Sequence, residues 1–376
     1  RIYQRQLLSF KVHMGESSIE VRKLDHIRIC LEKDVEFKQK TTWFEFVELI
    51  HVAAPELNYV DVDTSTEFLG RKFSAPILIE GMTGGAKGTE TINRNLAMAA
   101  LELNIPMELG SQRAAVEKPE LAESFKIVRD VAPDIFLIAN IGGVQLVEGG
   151  VKLAEEVVRM IDANALAIHL NPLHEIVQPH GTTSFKGVLD AIKKVVESLP
   201  VPVIVKEVGC GISGELSRRL EEIGVAVVDV GGAGGTNWVL IERIRALERG
   251  FLENAAIGKT FLEWGIPTAA ATIEACTSTK IPIISSGGIR SGLDVAKAIA
   301  IGASMAGMAR PLLHHAVVGS ERVIMALKQI ILELKTAMFL MGCRDIESLK
   351  KAEVVITGRL LEWVKQRGIR HPKIRL

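Results

Sequence analysis

The run His169-Leu-Asn-Pro-Leu-His174-Glu175 places two imidazoles, an amide and a carboxylate close together. Glu175 is a candidate Mg²⁺ ligand, because that ion takes one or two protein carboxylates and fills its octahedron with water and substrate phosphate. His174 is a candidate catalytic acid–base group, since imidazole titrates near neutrality. Zinc fits poorly, because the HExxH spacing and a third ligand are both missing. A second stretch, Ser285 to Gly292 (SSGGIRSG), has paired glycines and a following helical pattern. Gly287 and Gly288 let the backbone approach a phosphate closely, the helix start adds amides, and Arg290 adds charge. Such turns also occur without a ligand. Here, however, the next apolar run ends in Ala309-Arg310, and two consecutive anion-suited strand ends match the phosphate site of a (β/α)8 barrel.

Further candidates are scattered along the chain. Lys206 closes an apolar run and could be a Schiff-base nucleophile, a phosphate partner, or the cation beside the N1–C2 edge of a flavin. Asn140 and Thr236 could hydrogen-bond a heteroaromatic cofactor or simply cap the helices that follow. Arg22-Lys23 with His26 forms a basic cluster, which on composition alone also suits a solvated helix face. Arg113, after Ser111-Gln112, could join Lys23 on a diphosphate. His180 reads as a loop histidine, and the four tryptophans read as packing residues.

These residues need a frame that gathers distant positions. Eight short apolar runs alternate with amphipathic helical patterns: 75–80, 105–109, 135–139, 165–170, 201–205, 225–229, 281–284 and 304–308. None shows polar alternation, as expected of parallel strands covered on both faces. An open doubly wound sheet would concentrate its site residues at a switch point. Here every run is followed by glycine or polar residues, which favours a TIM barrel, an α/β fold whose strand ends share one face. The gathered strand-end set is Met82, Thr83, Ser111, Gln112, Arg113, Asn140, His169, Asn171, Lys206, Thr236, Arg290 and Arg310. It is rich in cations and amides and poor in carboxylates, which suits anionic ligands.

The expected layout is an irregular leader over 1–17, with Met14 a candidate start, and a single domain over 18–376. That domain has an N-terminal extension (about 18–74), the barrel (about 75–315) and C-terminal helices (about 316–376). Helices are expected over 91–103, 119–131, 150–162, 184–198, 213–223, 293–300, 320–342 and 346–366, with a helix-like segment at Phe44–Ile50. The interval 231–280 reads as a lid or interface elaboration after strand six.

Composition narrows the partners. Lys plus Arg equals Asp plus Glu at 45 each, so no global charge draws the chain to nucleic acid or an anionic membrane. At 5% aromatic residues, a base-stacking surface is not expected. No apolar run reaches the roughly 18 residues needed to span a bilayer, and the start lacks a signal-peptide pattern. Cys30, Cys210, Cys276 and Cys343 form no CxxC pair, so a reducing cytoplasm is the expected setting.

Taken in order, eight short motifs resemble the type 2 isopentenyl-diphosphate delta-isomerases, FMN-dependent enzymes, in their archaeal form. They are Arg22-Lys23-x-x-His26, Gly81-Met-Thr-Gly-Gly85, Gly110-Ser-Gln-Arg113, His169-Leu-Asn171, Lys206-Glu207, Gly234-Gly-Thr-Asn-Trp238, Trp264-Gly-Ile-Pro-Thr268 and Ser286-Gly-Gly-Ile-Arg-Ser-Gly292. The resemblance runs from about residue 20 to the end. It implies a TIM barrel that binds FMN, active when reduced, and Mg²⁺, with NAD(P)H as reductant. It further implies a small-molecule prenyl diphosphate as substrate and a homo-oligomer, tetramer or octamer. The implied reaction adds and removes a proton to move a double bond between isopentenyl and dimethylallyl diphosphate.

By position, the implied FMN contacts are Met82, Thr83, Gly84, Ser111, Asn140, Lys206, Gly231, Thr236, Gly287, Gly288, Ile289, Arg290, Ala309 and Arg310. The implied substrate contacts are Arg22, Lys23, His26, Ser111, Gln112, Arg113, His169, Asn171 and His174, and the implied metal ligand is Glu175. Three positions depart from the family pattern. His174 stands where Gln is usual, Pro179-His180-Gly181-Thr182 where Pro-Glu-Gly-Asp is usual, and Gly231 where a Ser is usual. Gly231 is expected to offer its backbone N–H to the flavin phosphate. A 2-hydroxy-acid oxidase or dehydrogenase of the same barrel would need a histidine base beside the arginine near strand seven, and no histidine lies close to Arg290 in the sequence. A catalytically altered paralogue is the other alternative, suggested by His174.

Overall fold

A computed structural model describes residues 19–370; the expected leader therefore lies outside the described residues. Eight parallel strands close a barrel: β1 Ile77–Ile79, β2 Met107–Glu108, β3 Leu137–Gly142, β4 Ala165–Leu170, β5 Val203–Glu207, β6 Val227–Asp229, β7 Ile283–Ser286 and β8 Met305–Met308. Each pairs with its sequence neighbours, and Ala306 to Met308 of β8 pair with Ile77 to Ile79 of β1 to shut the ring. The fold is thus a TIM barrel, and β-branched, wholly buried strands account for it.

Strand period decides what the barrel interior holds. Leu78, Ile138, Ala165, Ala167, Ile204, Val227, Ile284 and Met305 form one buried cluster inside the barrel. Their strand neighbours Ile77, Leu137, Leu166, Val205 and Val228 belong to the larger cluster under the helices. Phe68 and Phe73, from the hairpin Thr66–Phe68/Arg71–Phe73, join the interior cluster. Two residues further along the strands, the same inward positions become Glu80, Asn140, His169, Lys206, Asp229 and Ser286. A polar layer therefore sits directly on the apolar plug.

Four local expectations are corrected. Phe44–Ile50 is not helical: a 3₁₀ turn, Phe44–Phe46, leads into a strand, Val47–Leu49, that pairs antiparallel with Val354–Ile356. That pairing also breaks the helix expected over 346–366 into Ile346–Lys351 and Gly358–Gln366. β-branched Val354-Val-Ile favours the strand. The helix expected from 150 begins at Gly143 and bends at Gly150, whose φ of 57° is non-helical. Within 231–280, Thr268–Ser278 packs on β7 and on Gly214–Glu222 as one of the barrel's surrounding helices. The true insertion is therefore shorter than expected. Among the described residues, no helix is long and apolar enough to cross a membrane.

Candidate active site

A cavity opens at the carboxyl ends of the strands. The extension contributes α1 (Ile19–Glu32), the loop after β4 contributes α2 (Pro172–Val177), and the insertion after β6 contributes α3 (Trp238–Glu248). The cavity is lined by Arg22, Lys23 and His26 of α1, His174 and Glu175 of α2, and Trp238 of α3. Met82, Thr83, Ser111, Arg113, Asn140, His169, Asn171, Lys206, Gly231, Thr236, Gly287, Gly288, Ile289, Arg290, Ala309 and Arg310 complete it. Two expected contacts lie elsewhere. Gln112 is wholly buried, donates to the Val157 carbonyl (2.8 Å) and accepts from the Asn140 amide (3.1 Å), so it braces β3 from behind. Gly84 (φ 133°) packs on Phe125, whose ring would lie 2.1 Å from an added Cβ.

The basic end of the cavity is partly dry. Lys23 donates to the Ser111 carbonyl (3.1 Å). Burial pushes its ammonium down to about 7, and the neighbouring Arg22 and Arg113 add to the fall. Arg22 is lowered by burial too, against the attraction of Glu242. Arg113 ion-pairs with Glu117 at 2.6 Å.

At the centre stands Glu242 of α3, wholly buried. One of its oxygens meets His26 Nε2 (2.5 Å) and His174 Nε2 (3.0 Å), and the other accepts from Arg245 (2.6 Å). Burial alone would raise the Glu242 carboxyl, but His26 and His174 outweigh it and hold it well below the usual range. Burial drives His26 down to about 4. His169, down to about 3 through burial and then Lys23, places Nδ1 2.8 Å from the Asn140 oxygen. Both rings are therefore neutral at neutral pH. Glu175 is buried on α2, accepting from Asn171 Nδ2 (3.1 Å) and the Thr182 amide (2.6 Å). It faces the loop that carries His180, whose ring packs edge-on to Phe251.

The floor differs from the expected carboxylate-poor site. Lys206 ion-pairs with Glu80, with Glu108 (3.1 Å) and with Asp229 (2.9 Å). Burial opposes the lysine's charge, yet the three acids outweigh it and its pKa rises well above the usual value. Glu207 turns back to cap the amides of Val208 and Gly209 at 2.7 Å each. All four acids stand at or next to strand ends, so a count of carboxylates at those positions finds them. Glu242 and Trp238 carry no such signal, because they sit on an insertion helix.

The phosphate end also departs from expectation in detail. The amides of Arg290 and Ser291 are taken by Asp294 (3.0 and 3.1 Å), and that of Gly292 by Glu333 (2.8 Å). The helix start after β7 is thus already satisfied by protein. Gly231 turns its N–H to Asp229 (3.3 Å), and an added Cβ would stand 2.1 Å from the Glu207 carbonyl. The guanidiniums of Arg290 and Arg310 converge on one oxygen of Glu36, at 2.9 and 3.0 Å. Arg310 also donates to the carbonyls of Cys30 (3.1 Å) and Lys33 (3.3 Å) at the end of α1. Its side chain therefore clamps the extension, while its backbone opens the helix Arg310–Val318 beside the cavity.

A cationic strand-end cavity on a barrel suits a phosphorylated heteroaromatic cofactor. Buried atoms on its wall lack protein partners: Thr83 Oγ1, Glu80 Oε1 and Asn171 Oδ1. Fold and site together define a TIM-barrel protein with an anion-suited cavity at its strand ends. Residues 171–356 match the FMN-dependent dehydrogenase family. The chain is 47% identical to the isopentenyl-diphosphate delta-isomerase of Methanothermobacter thermautotrophicus over 355 residues, covering 94% of this chain and 98% of that one. It is 49% identical to the Halobacterium salinarum protein of the same name over 350 residues, 93% and 96% of the two chains. The chain belongs to the isopentenyl-diphosphate delta-isomerase family and is an isomerase. Among solved structures it resembles a lactate oxidase of Pediococcus acidilactici (TM-score 0.65, 16% identity, 94% of each chain). It also resembles a mandelate oxidase (TM-score 0.60, 18% identity, 93% of this chain and 98% of that one). Those two likenesses speak to the fold alone.

Proposed function

We propose that the protein interconverts isopentenyl and dimethylallyl diphosphate with reduced FMN and Mg²⁺, NAD(P)H being the reductant. One observation carries the reading: a single cavity joins a phosphate-suited end, a basic end and a dry imidazole–carboxylate pair between helices. When bound, FMN supplies an acid–base centre at its reduced ring and Mg²⁺ supplies charge to a diphosphate. Thr83, Asn140, Lys206, Thr236, Gly287 to Arg290 and the backbone at Ala309-Arg310 would hold the cofactor. Glu175, with the unpartnered Asn171 oxygen, would hold the ion.

Arg22, Lys23 and Arg113 bind and neutralise the diphosphate. His26, His169 and Asn171 line the path to the alkene. His174 is the proton-handling residue: Glu242 orients its ring, and burial keeps water away. α1 and α3 close over the barrel mouth, so a carbocation-like transition state is shielded from water. Cysteines spaced far apart with no CxxC pair support a cytoplasmic setting, and exposed Leu252 and Trp264 on the insertion support a homo-oligomer. Isomerisation assayed with chemically reduced FMN and Mg²⁺, with and without NAD(P)H, tests the reading. Dimethylallyl diphosphate must form only when flavin is reduced and the ion is present.

A further inference from the structure

Lys206 stands inside a ring of three acids that no single-charge description covers. The side chains of Lys206, Glu80, Glu108 and Asp229 are at most 8% exposed. Asp229 is further tied to Ser286 Oγ (2.5 Å), and Glu108 to Asn140 Nδ2. Glu80 Oε1 is buried without a protein partner, whereas Asp229 Oδ2 has its ion pair with Lys206, and Glu80 lines the cavity. One cation thus faces three acids in a low-dielectric floor, where a charge acts strongly on a neighbour. Burial and the adjacent Asp229 push the Glu80 carboxyl well above the usual range. Three acids thus converge on one ammonium, so carboxyl groups outnumber the cation in this floor.

We propose that this acid ring, rather than Lys206 alone, sets the electron affinity of the flavin: it cancels the lysine's charge and weakens the hold on the reduced, more negative ring. The inference rests on the FMN reading above. A lone lysine would favour the reduced form and raise the midpoint potential. The three acids around the ammonium oppose that effect.

The test is the midpoint potential of bound flavin in the holoenzyme, read by spectral titration beside a reference dye. Glu108→Gln and Asp229→Asn each remove one negative charge. Each is expected to tighten reduced FMN over oxidised FMN about tenfold or more, an upward shift of at least ~30 mV for a two-electron couple. Bound flavin whose potential stays put or falls in both charge-removing variants overturns the inference while leaving the FMN reading intact. A wild-type chain that takes up no flavin overturns both.

Discussion

The imidazole of His174 lies flat on the indole of Trp238, with ring centroids 5.3 Å apart and planes 16° from parallel. The stack fixes the plane of the ring, and the hydrogen bond from Nε2 to Glu242 fixes its rotation. A carboxylate only accepts, so Nε2 carries the proton of this hydrogen bond. His174→Ala is expected to lower kcat by about 10²-fold or more, in the range for loss of a positioned acid–base group. His174→Gln can still donate to Glu242 and should lose less. Steady-state rates at saturating substrate check this, and an Ala variant as fast as wild type counts against the role.

Lys23 gives the site a pH dependence. With its ammonium pushed down to about 7, the empty site holds a full charge below that value and loses it above. Affinity for inorganic diphosphate should therefore fall as pH rises through 7, and binding above 7 should take up a proton. Lys23→Arg keeps its charge and should flatten the profile. Calorimetry in buffers of different ionisation enthalpy reads both the affinity and the proton uptake.

Glu175 is the carboxylate proposed for the divalent ion. Glu175→Gln preserves shape and the contact with Asn171 but removes charge. The Mg²⁺ concentration for half-maximal rate should rise about tenfold or more. A titration curve that superimposes on wild type would remove Glu175 from that role.

Arg310 serves two parts of the molecule. Its side chain ties down the C-terminal end of α1, while the residue also lines the cavity beside Ala309. A cation at a helix C-terminus is worth about 1 kcal/mol. Arg310→Ala is thus expected to raise the KM for substrate, because α1 carries Arg22, Lys23 and His26. The FMN dissociation constant should move less than the KM. Fluorescence quenching of FMN and steady-state kinetics measure the two separately.

Much of this molecule is legible in its sequence. Eight uninterrupted apolar runs place the barrel strands to within three residues, because a strand buried on both faces has no other economical sequence. Strand ends then nominate Asn140, His169 and Lys206. What escapes is orientation. Gln112 follows β2 as Ser111 does, yet its side chain turns into the wall. Arg310 lines the cavity, but its guanidinium pairs with Glu36 and the end of α1. Period-two alternation puts Glu80 and Asp229 beside Lys206, a consequence visible only once the register with β5 is fixed. Glu242 reaches the centre from a helix, where no strand-end rule applies. The hairpin-like pairing of Val47–Leu49 with Val354–Ile356 joins segments about 300 residues apart, and no local pattern predicts such closure.

The central claim is that one cavity holds flavin, divalent ion and prenyl diphosphate for a double-bond shift. The decisive measurement is incubation of the flavin-loaded, reduced protein with isopentenyl diphosphate and Mg²⁺ in deuterated water, followed by product analysis. The account predicts dimethylallyl diphosphate carrying deuterium, with product lost when the flavin is oxidised or the ion is chelated. Bound, reduced flavin with no dimethylallyl product at any pH, or turnover of a 2-hydroxy acid instead, would contradict it.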